Sequence, residues 1–368
     1  MSDSIVAQKR LMERLQKAGS IKSTQLTKSS LFTEKDVIPT SVPMVNVALS
    51  GKLDGGLTSG LTVLAGPSKH FKTAFGLLMM KGYMDKYPGS IVLFYDSEFG
   101  TPQSYFSSLK IDTDRVLHVP IKNIEELKFD LVKQLDGLST EDKVFVMIDS
   151  IGNLASKKEV EDAQNEKSVA DMTRAKQLKS LFRMITPYLT LRDVPLIAVN
   201  HTYQTQEMFS KAVVSGGTGV MYSADNVWII GRQQQKKGTE IEGYNFIINV
   251  EKSRFVKEKS KIPISVTWEG GIKKWSGLLD VALEGGFVDK PSMGWYSKVD
   301  MDTGEVQENK VRALATDTKE FWEDILAHPK FQAYVEKRYA MGTGLLQSID
   351  AIDNPVDEMN SRSEAQNE

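Results

Sequence analysis

Six short, continuously apolar runs at residues 61–65, 91–95, 116–119, 144–148, 196–199 and 227–230 are separated by stretches of helical periodicity, such as 73–86, 124–138 and 168–188. A strand that is apolar on both sides must be covered on both. Helices returning between parallel strands provide that cover, so the pattern predicts an α/β fold with a mainly parallel central sheet. Farther on the period changes to two: Tyr244, Phe246, Ile248 and Val250 alternate with Asn245, Ile247 and Asn249, and residues 262–268 form another extended run. These predict antiparallel strands closing one edge of the sheet.

Ligands of an open parallel sheet bind beyond the carboxyl ends of its strands. After the first run stands Gly66-Pro67-Ser68-Lys69-His70-Phe71-Lys72-Thr73. Its spacing is that of a phosphate-binding loop, with backbone amides for phosphate oxygens, Lys72 for the terminal phosphates and the Thr73 hydroxyl for a magnesium ion. The general pattern has glycine where Phe71 stands. A bulky residue fits there only if its side chain points away from the nucleotide. By itself the stretch is equally a turn between a strand and a helix. Other strand ends supply Asp96 and Glu98, Asp149 and Ser150, and Asn200 and His201. One acidic residue after a buried strand is commonly a cap or turn residue. Three polar strand ends following a phosphate loop fit metal-assisted phosphoryl transfer, with Asp149 near magnesium, Glu98 orienting water and His201 touching the terminal phosphate.

Composition narrows the partners. A net charge of -2 argues against a generally basic nucleic-acid coat, so any polyanion contact must be local. The absence of cysteine excludes disulfides, thiolate metal sites and cysteine nucleophiles, and four scattered histidines disfavour a zinc cluster. No apolar run approaches the ~18 residues of a membrane span, and the N-terminus lacks a signal-peptide core. The expectation is a soluble, intracellular protein without a targeting signal.

The phosphate loop is followed in order by Phe94-Tyr95-Asp96-Ser97-Glu98-Phe99-Gly100, Ile148-Asp149-Ser150-Ile151-Gly152-Asn153-Leu154, Asn200-His201-Thr202-Tyr203 and Gly216-Gly217-Thr218-Gly219. On these motifs, over residues 46–272, the chain resembles the RecA-type recombinases, and most closely their bacteriophage UvsX branch, which shares a bulky residue at the position of Phe71. The resemblance implies a RecA-like P-loop ATPase core with a short N-terminal oligomerisation segment and a small C-terminal helical appendage. It implies ATP and Mg2+ as cofactors, Gly66 to Thr73 and Asp149 around the nucleotide, Thr73 and Asp149 at the metal, and Tyr105 stacked on adenine. Glu98 is then the catalytic carboxylate and Lys72 its partner at the phosphates. His201 replaces a glutamine that couples the terminal phosphate to DNA. Lys252 and Arg254 look like the basic pair that completes the ATP site of an adjacent subunit.

The polar connections 155–167 and 202–217 become, by the same resemblance, two DNA-binding loops. Phe209 is a candidate wedge between bases, Gly216 and Gly217 admit a phosphate to the backbone, Arg174 and Lys211 neutralise charge, and Tyr203 lies at the root of the second loop. The expected division is an N-terminal helix and linker at 1–30, the core at 31–277, a small domain at 278–345 and an acidic tail at 346–368. The helix is read as 4–18, capped by Ser4, with Leu11, Leu15 and Ala18 on one face awaiting a partner in its own domain or a neighbouring subunit. In the C-terminal part, helices are expected at 278–284 and 316–341. The tail carries six acidic side chains against Arg362 alone and is expected to be disordered.

The implied partners are single-stranded DNA, homologous double-stranded DNA and further copies in a helical filament, together with a single-strand-binding protein and a recombination mediator, in the cytoplasm of an infected bacterial host. A ring-forming helicase on the same core and a mediator paralogue that exchanges no strands are the competing readings. Only about 40 residues precede the stretch that carries the resemblance, too few for the separate N-terminal domain that such helicases usually carry.

Overall fold

The computed structural model describes residues 2–21, 23–29, 35–165, 173–205, 212–237 and 240–342. In chain order the elements are α1 (Ser2–Ala18), α2 (Pro43–Ser50), β1 (Gly60–Ala65), α3 (Lys72–Lys86), β2 (Ile91–Asp96), α4 (Gln103–Ser108), β3 (Val116–Pro120), α5 (Ile124–Asp136), β4 (Val144–Asp149), α6 (Lys157–Gln164) and α7 (Thr173–Leu191). There follow β5 (Pro195–Asn200), β6 (Thr202–Gln204), β7 (Ala212–Val214), α8 (Thr218–Ser223), β8 (Asn226–Lys237), β9 (Glu240–Lys252), β10 (Lys261–Thr267) and β11 (Gly271–Ile272). The C-terminal part holds α9 (Leu278–Glu284), β12 (Val288–Ser292), β13 (Trp295–Val299), β14 (Val306–Arg312), α10 (Lys319–Ala327) and α11 (Pro329–Tyr339).

The main sheet has the order β11-β10-β9-β8-β1-β5-β4-β2-β3. From β8 through β3 the strands are parallel, and β9, β10 and β11 close the other edge antiparallel. Every residue of β1, β4 and β5 is buried, as a strand covered on both faces requires. The period of two divides β1 between the layers: Leu61, Val63 and Ala65 join Tyr95, Leu181 and Phe182 on one face, while Leu64 joins Phe75, Met79 and Trp228 on the other. The alternation of β9 holds as well, with Phe246, Ile248 and Val250 turned into the core.

Two expectations need correction. The N-terminal helix starts at Ser2, so Ser4 stands inside its first turn and does not cap it. The C-terminal appendage contains, besides its helices, the three-stranded sheet β12–β13–β14, and the helix expected over 316–341 is two helices parted at His328-Pro329. Proline at the first position of α11 disfavours helical backbone at the residue before it, and His328 is extended, with ψ 128°. Phe321, Trp322, Phe331 and Val335 pack into the same apolar cluster as the α3 face of the sheet. The chain also returns to the core through the amide of Met341, which donates to the Phe255 carbonyl at 2.8 Å. Among the described residues no helix is long and apolar enough to cross a membrane.

Candidate active site

The parallel strands end together, and their ends carry the site. Lys72 begins α3 and is 6% exposed, its Nζ donating to the Pro67 carbonyl at 2.8 Å. Burial holds its pKa down, against the opposing pull of Glu98 and Asp149. Thr73 Oγ1 donates to Asp149 Oδ2 at 2.8 Å, and Thr101 Oγ1 approaches the same oxygen at 3.3 Å. The other oxygen of Asp149, Oδ1, is buried and has no hydrogen-bond partner among the described residues. Desolvation pushes the Asp149 carboxyl up to about 6, with Thr73 opposing and the nearby Glu98 and Asp96 adding to the rise.

A bare buried carboxylate oxygen beside a hydroxyl and an ammonium suits a hydrated magnesium ion on a nucleotide phosphate. Among the described residues no three His, Asp or Glu side chains converge as a metal cage. An ion at Thr73 and Asp149 must therefore take most of its ligands from phosphate and water, as magnesium does at such sites.

Phe71 resolves the departure from the usual loop. Its backbone is left-handed, with φ 61°, the conformation that makes glycine the common residue here. Its ring turns away from the loop cavity, stacking on Phe246 at 5.0 Å and meeting Phe75 edge-on at 6.0 Å. Phe71→Gly is accordingly expected to keep ATP binding within a few fold. It should still lower stability by about 1–2 kcal/mol, because the lost ring packing outweighs the relieved backbone strain. Nucleotide titration and thermal melting of the variant check both numbers, and loss of binding would contradict the side chain's direction.

Glu98 follows β2 in a turn made by Asp96, whose Oδ1 accepts from the amides of Glu98 and Phe99 at 3.0 and 2.8 Å. Three donors converge on Glu98 Oε1: Ser150 Oγ at 2.5 Å, Asn153 Nδ2 at 3.1 Å and His201 Nε2 at 3.2 Å. His201 above all, then Ser150 and Lys72, hold the Glu98 carboxyl below its ordinary pKa against the opposing effect of burial. Gly152 permits this closeness, since a Cβ there would lie 2.3 Å from the His201 ring. Lys72, Thr73, Glu98, Asp149 and His201 are thus brought together as the sequence suggests. Ser150, Asn153 and Thr101 are the members that sequence reasoning did not assign. The rule of strand ends that selects Asp149 also points at Ser150, but nothing local ties Asn153 or Thr101 to the site.

Other candidates stand apart. Tyr105, on α4, is 41% exposed. Lys252 Nζ donates to the carbonyls of Met221, Tyr222 and Ala224 at 2.7–3.2 Å, at the C-terminus of α8. Arg254 pairs with Asp225 at 2.5 Å. Asp225 in turn exchanges hydrogen bonds with the backbone of Leu61 at the start of β1, which puts Arg254 toward the end of the sheet away from its own phosphate loop, with Lys252 level with the middle of β1. Tyr203, 55% exposed, lies in the β6–β7 hairpin that opens the second polar loop. Gly216 has φ 92°, and a Cβ there would sit 2.8 Å from Leu178, so helix packing as well as backbone conformation requires glycine. Gly217 follows with φ 78°. Phe209, Lys211 and the tail 346–368 lie outside the described residues. Arg174 differs from expectation, because its guanidinium is turned inward onto backbone carbonyls.

Comparison with known proteins places this arrangement. The chain is 52% identical to the recombination and repair protein of Enterobacteria phage T4 over 96% of its own length and 92% of that protein's. The chain belongs to the UvsX branch of the RecA-type recombinases. Residues 275–335, the part with the unexpected small sheet, match the family described as "Bacteriophage T4, Recombination and repair protein, C-terminal domain". The wider RecA relationship is visible in the RecA proteins of Kineococcus radiotolerans and Streptomyces rimosus. Each is 27% identical, over 86% and 74% of this chain and 86% and 71% of theirs. The parallel core with an antiparallel edge is the fold of a RecA-type recombinase.

Proposed function

We propose that the protein is an ATP-dependent DNA recombinase that assembles on single-stranded DNA and exchanges strands with a homologous duplex, in the cytoplasm of the infected host cell. The observation that carries this reading is the Glu98 carboxylate, held beside Lys72, Thr73 and Asp149 by side chains that follow β4 and β5, where the two polar loops begin.

The residues divide the work as follows. The turn from Gly66 to Thr73 holds the phosphates of ATP, with Lys72 neutralising them, and Tyr105 covers the base. Thr73 and Asp149 hold magnesium, which when bound supplies charge neutralisation at the phosphates. Glu98, kept ionised by its three donors, accepts a hydrogen bond from the attacking water and orients it. His201 joins Glu98 to the second loop. Lys252 and Arg254, the latter away from its own phosphate loop, are suited to a neighbouring subunit's nucleotide, where positive charge would stabilise the transferring phosphoryl group. Tyr203, Phe209, Lys211, Gly216 and Gly217 form the DNA side.

Residues 1–30 make the subunit contact, 31–277 the ATPase and DNA-binding core, 278–345 a small accessory unit and 346–368 an acidic tail that competes with DNA or meets accessory proteins. Those include a single-strand-binding protein and a mediator.

The test is ATP hydrolysis with and without single-stranded DNA across protein concentration. Sites completed in trans make specific activity rise with assembly. The expected result is stimulation of at least tenfold by DNA, with specific activity climbing as filaments form. A rate indifferent to both DNA and concentration would defeat the reading. Closed rings instead of helical filaments in electron micrographs would favour a helicase.

A further inference from the structure

Arg174, in the first turn of α7, has four directed contacts. Nε donates to the Leu154 carbonyl at 2.8 Å, Nη2 to those of Ile151 and Gly152 at 3.0 and 2.8 Å, and Nη1 to Ser215 Oγ at 3.4 Å. A guanidinium has five N–H groups in a rigid planar fork. It therefore spans two segments at once, the one that follows β4 and the one that precedes Gly216.

Both segments lead to Glu98. On the β4 side, the carbonyls that Arg174 grips flank Asn153, whose amide donates to Glu98. On the other side, the Ser215 amide donates to the His201 carbonyl at 2.9 Å, and Asn200 Nδ2 donates to the Ser215 carbonyl at 2.8 Å. His201 Nε2 then donates to Glu98 Oε1 at 3.2 Å. The contacts close a ring from Arg174 through Asn153, Glu98, His201 and Ser215 back to Arg174.

We infer that Arg174 is a positioning residue that fixes the roots of both polar loops to each other and to Glu98, and that it does not itself neutralise a DNA phosphate. This deepens the functional reading above and rests on it. With the two roots tied together, a strand pressing on either loop moves Asn153 and His201 in concert relative to Glu98, so the tie helps convert DNA binding into faster hydrolysis.

Arg174→Lys is the discriminating variant. It keeps the positive charge, but a lysine is a point donor and cannot fork across four acceptors. A positioning role predicts that Arg174→Lys loses at least tenfold in DNA-stimulated kcat, nearly as much as Arg174→Ala. Affinity for oligo-dT and its dependence on salt should stay close to those of the wild type in both. A phosphate contact predicts the opposite. Arg174→Lys would then behave like the wild type, and Arg174→Ala would lower the slope of log K against log salt by about 0.7, the value for one neutralised phosphate of a single strand. Retained stimulation in Arg174→Lys, or that change of slope in Arg174→Ala, overturns the proposal. Should Arg174→Ala not fold, Arg174→Lys decides alone. Failure of the underlying functional reading would show separately, as a wild-type protein that DNA does not stimulate. The proposal would then be judged on the DNA-free hydrolysis rate, which the loosened Glu98 of Arg174→Lys should still lower.

Discussion

Replacing Glu98 by glutamine should slow ATP hydrolysis by about 10²–10³-fold while nucleotide binding and assembly on DNA survive. The substitution keeps the shape and an acceptor oxygen for Ser150 and Asn153, whose contacts with Oε1 hold the side chain in place. What it removes is the negative charge that draws a proton from the attacking water, a contribution usually of 10²–10⁴ in rate. In the proposed site the phosphates and magnesium are held by other groups, so affinity should change little. If ATP bound between subunits stabilises the filament, filaments formed with ATP should then outlive those of the wild type. Steady-state hydrolysis, titration with a fluorescent ATP analogue and filament lifetime by electron microscopy read the three quantities. An undiminished rate would remove Glu98 from the catalytic role, and equal loss of binding and rate would make it a merely structural partner of His201.

The depressed pKa of Glu98 sets a direction for pH. A carboxyl whose pKa is lowered by folding contributes stability that is complete above the ordinary carboxylate range and is lost as pH falls through the depressed value. Neutral solution therefore leaves the Glu98 cluster intact, and Glu98 is not the group that limits the protein in mild acid.

The sequence already displayed the parts of this site that depend on strand ends. A run such as residues 144–148 is legible because every side chain must be apolar, and the residue after it is then fixed at the carboxyl edge of the sheet. Phe71 was legible as an exception, and a left-handed backbone with the ring directed to Phe246 explains how the exception is accommodated. Contacts across distant segments were not legible. Asn153 meets a carboxylate 55 residues away, and only the parallel pairing of β2 with β4 brings them together. Arg174 reads as an available cation from its neighbours in sequence. Its fate depends on the carbonyls left unpaired where the chain leaves β4, which no pattern of side chains records. The small C-terminal sheet was missed for another reason. Val306–Arg312 is almost wholly exposed and polar, so it lacks the apolar alternation by which a strand is recognised.

Asp149→Asn should make the nucleotide-free protein more stable and the enzyme nearly inactive. Asp149 is 2% exposed, and desolvation lifts its carboxyl from 3.8 to about 6. At neutral pH it is ionised in the folded and unfolded states alike, but at a cost in the folded one. A rise from 3.8 to about 6 corresponds to ~3 kcal/mol, an upper figure for what asparagine would return. The sign follows from the raised value: the stability linked to the bound proton is present below 3.8 and lost as pH rises to about 6. The melting advantage of Asp149→Asn should therefore be complete above pH 6 and close as pH falls toward 4. Thr73 can keep its contact by donating to the amide oxygen, so the fold need not rearrange. Magnesium-dependent hydrolysis should fall by about 10²-fold or more, because a neutral amide replaces the charge that faces the cation. If Asp149 holds magnesium as proposed, protons and the cation compete for the same oxygens in the wild type, and affinity for magnesium and ATP should weaken by up to about tenfold per pH unit below 6. Thermal melts of both proteins between pH 4 and 8, with and without magnesium and ATP, test the exchange of stability for function. Equal melting temperatures at pH 7.5 would mean that the buried carboxylate carries no such cost. Unimpaired hydrolysis in Asp149→Asn would mean that the cation is held elsewhere.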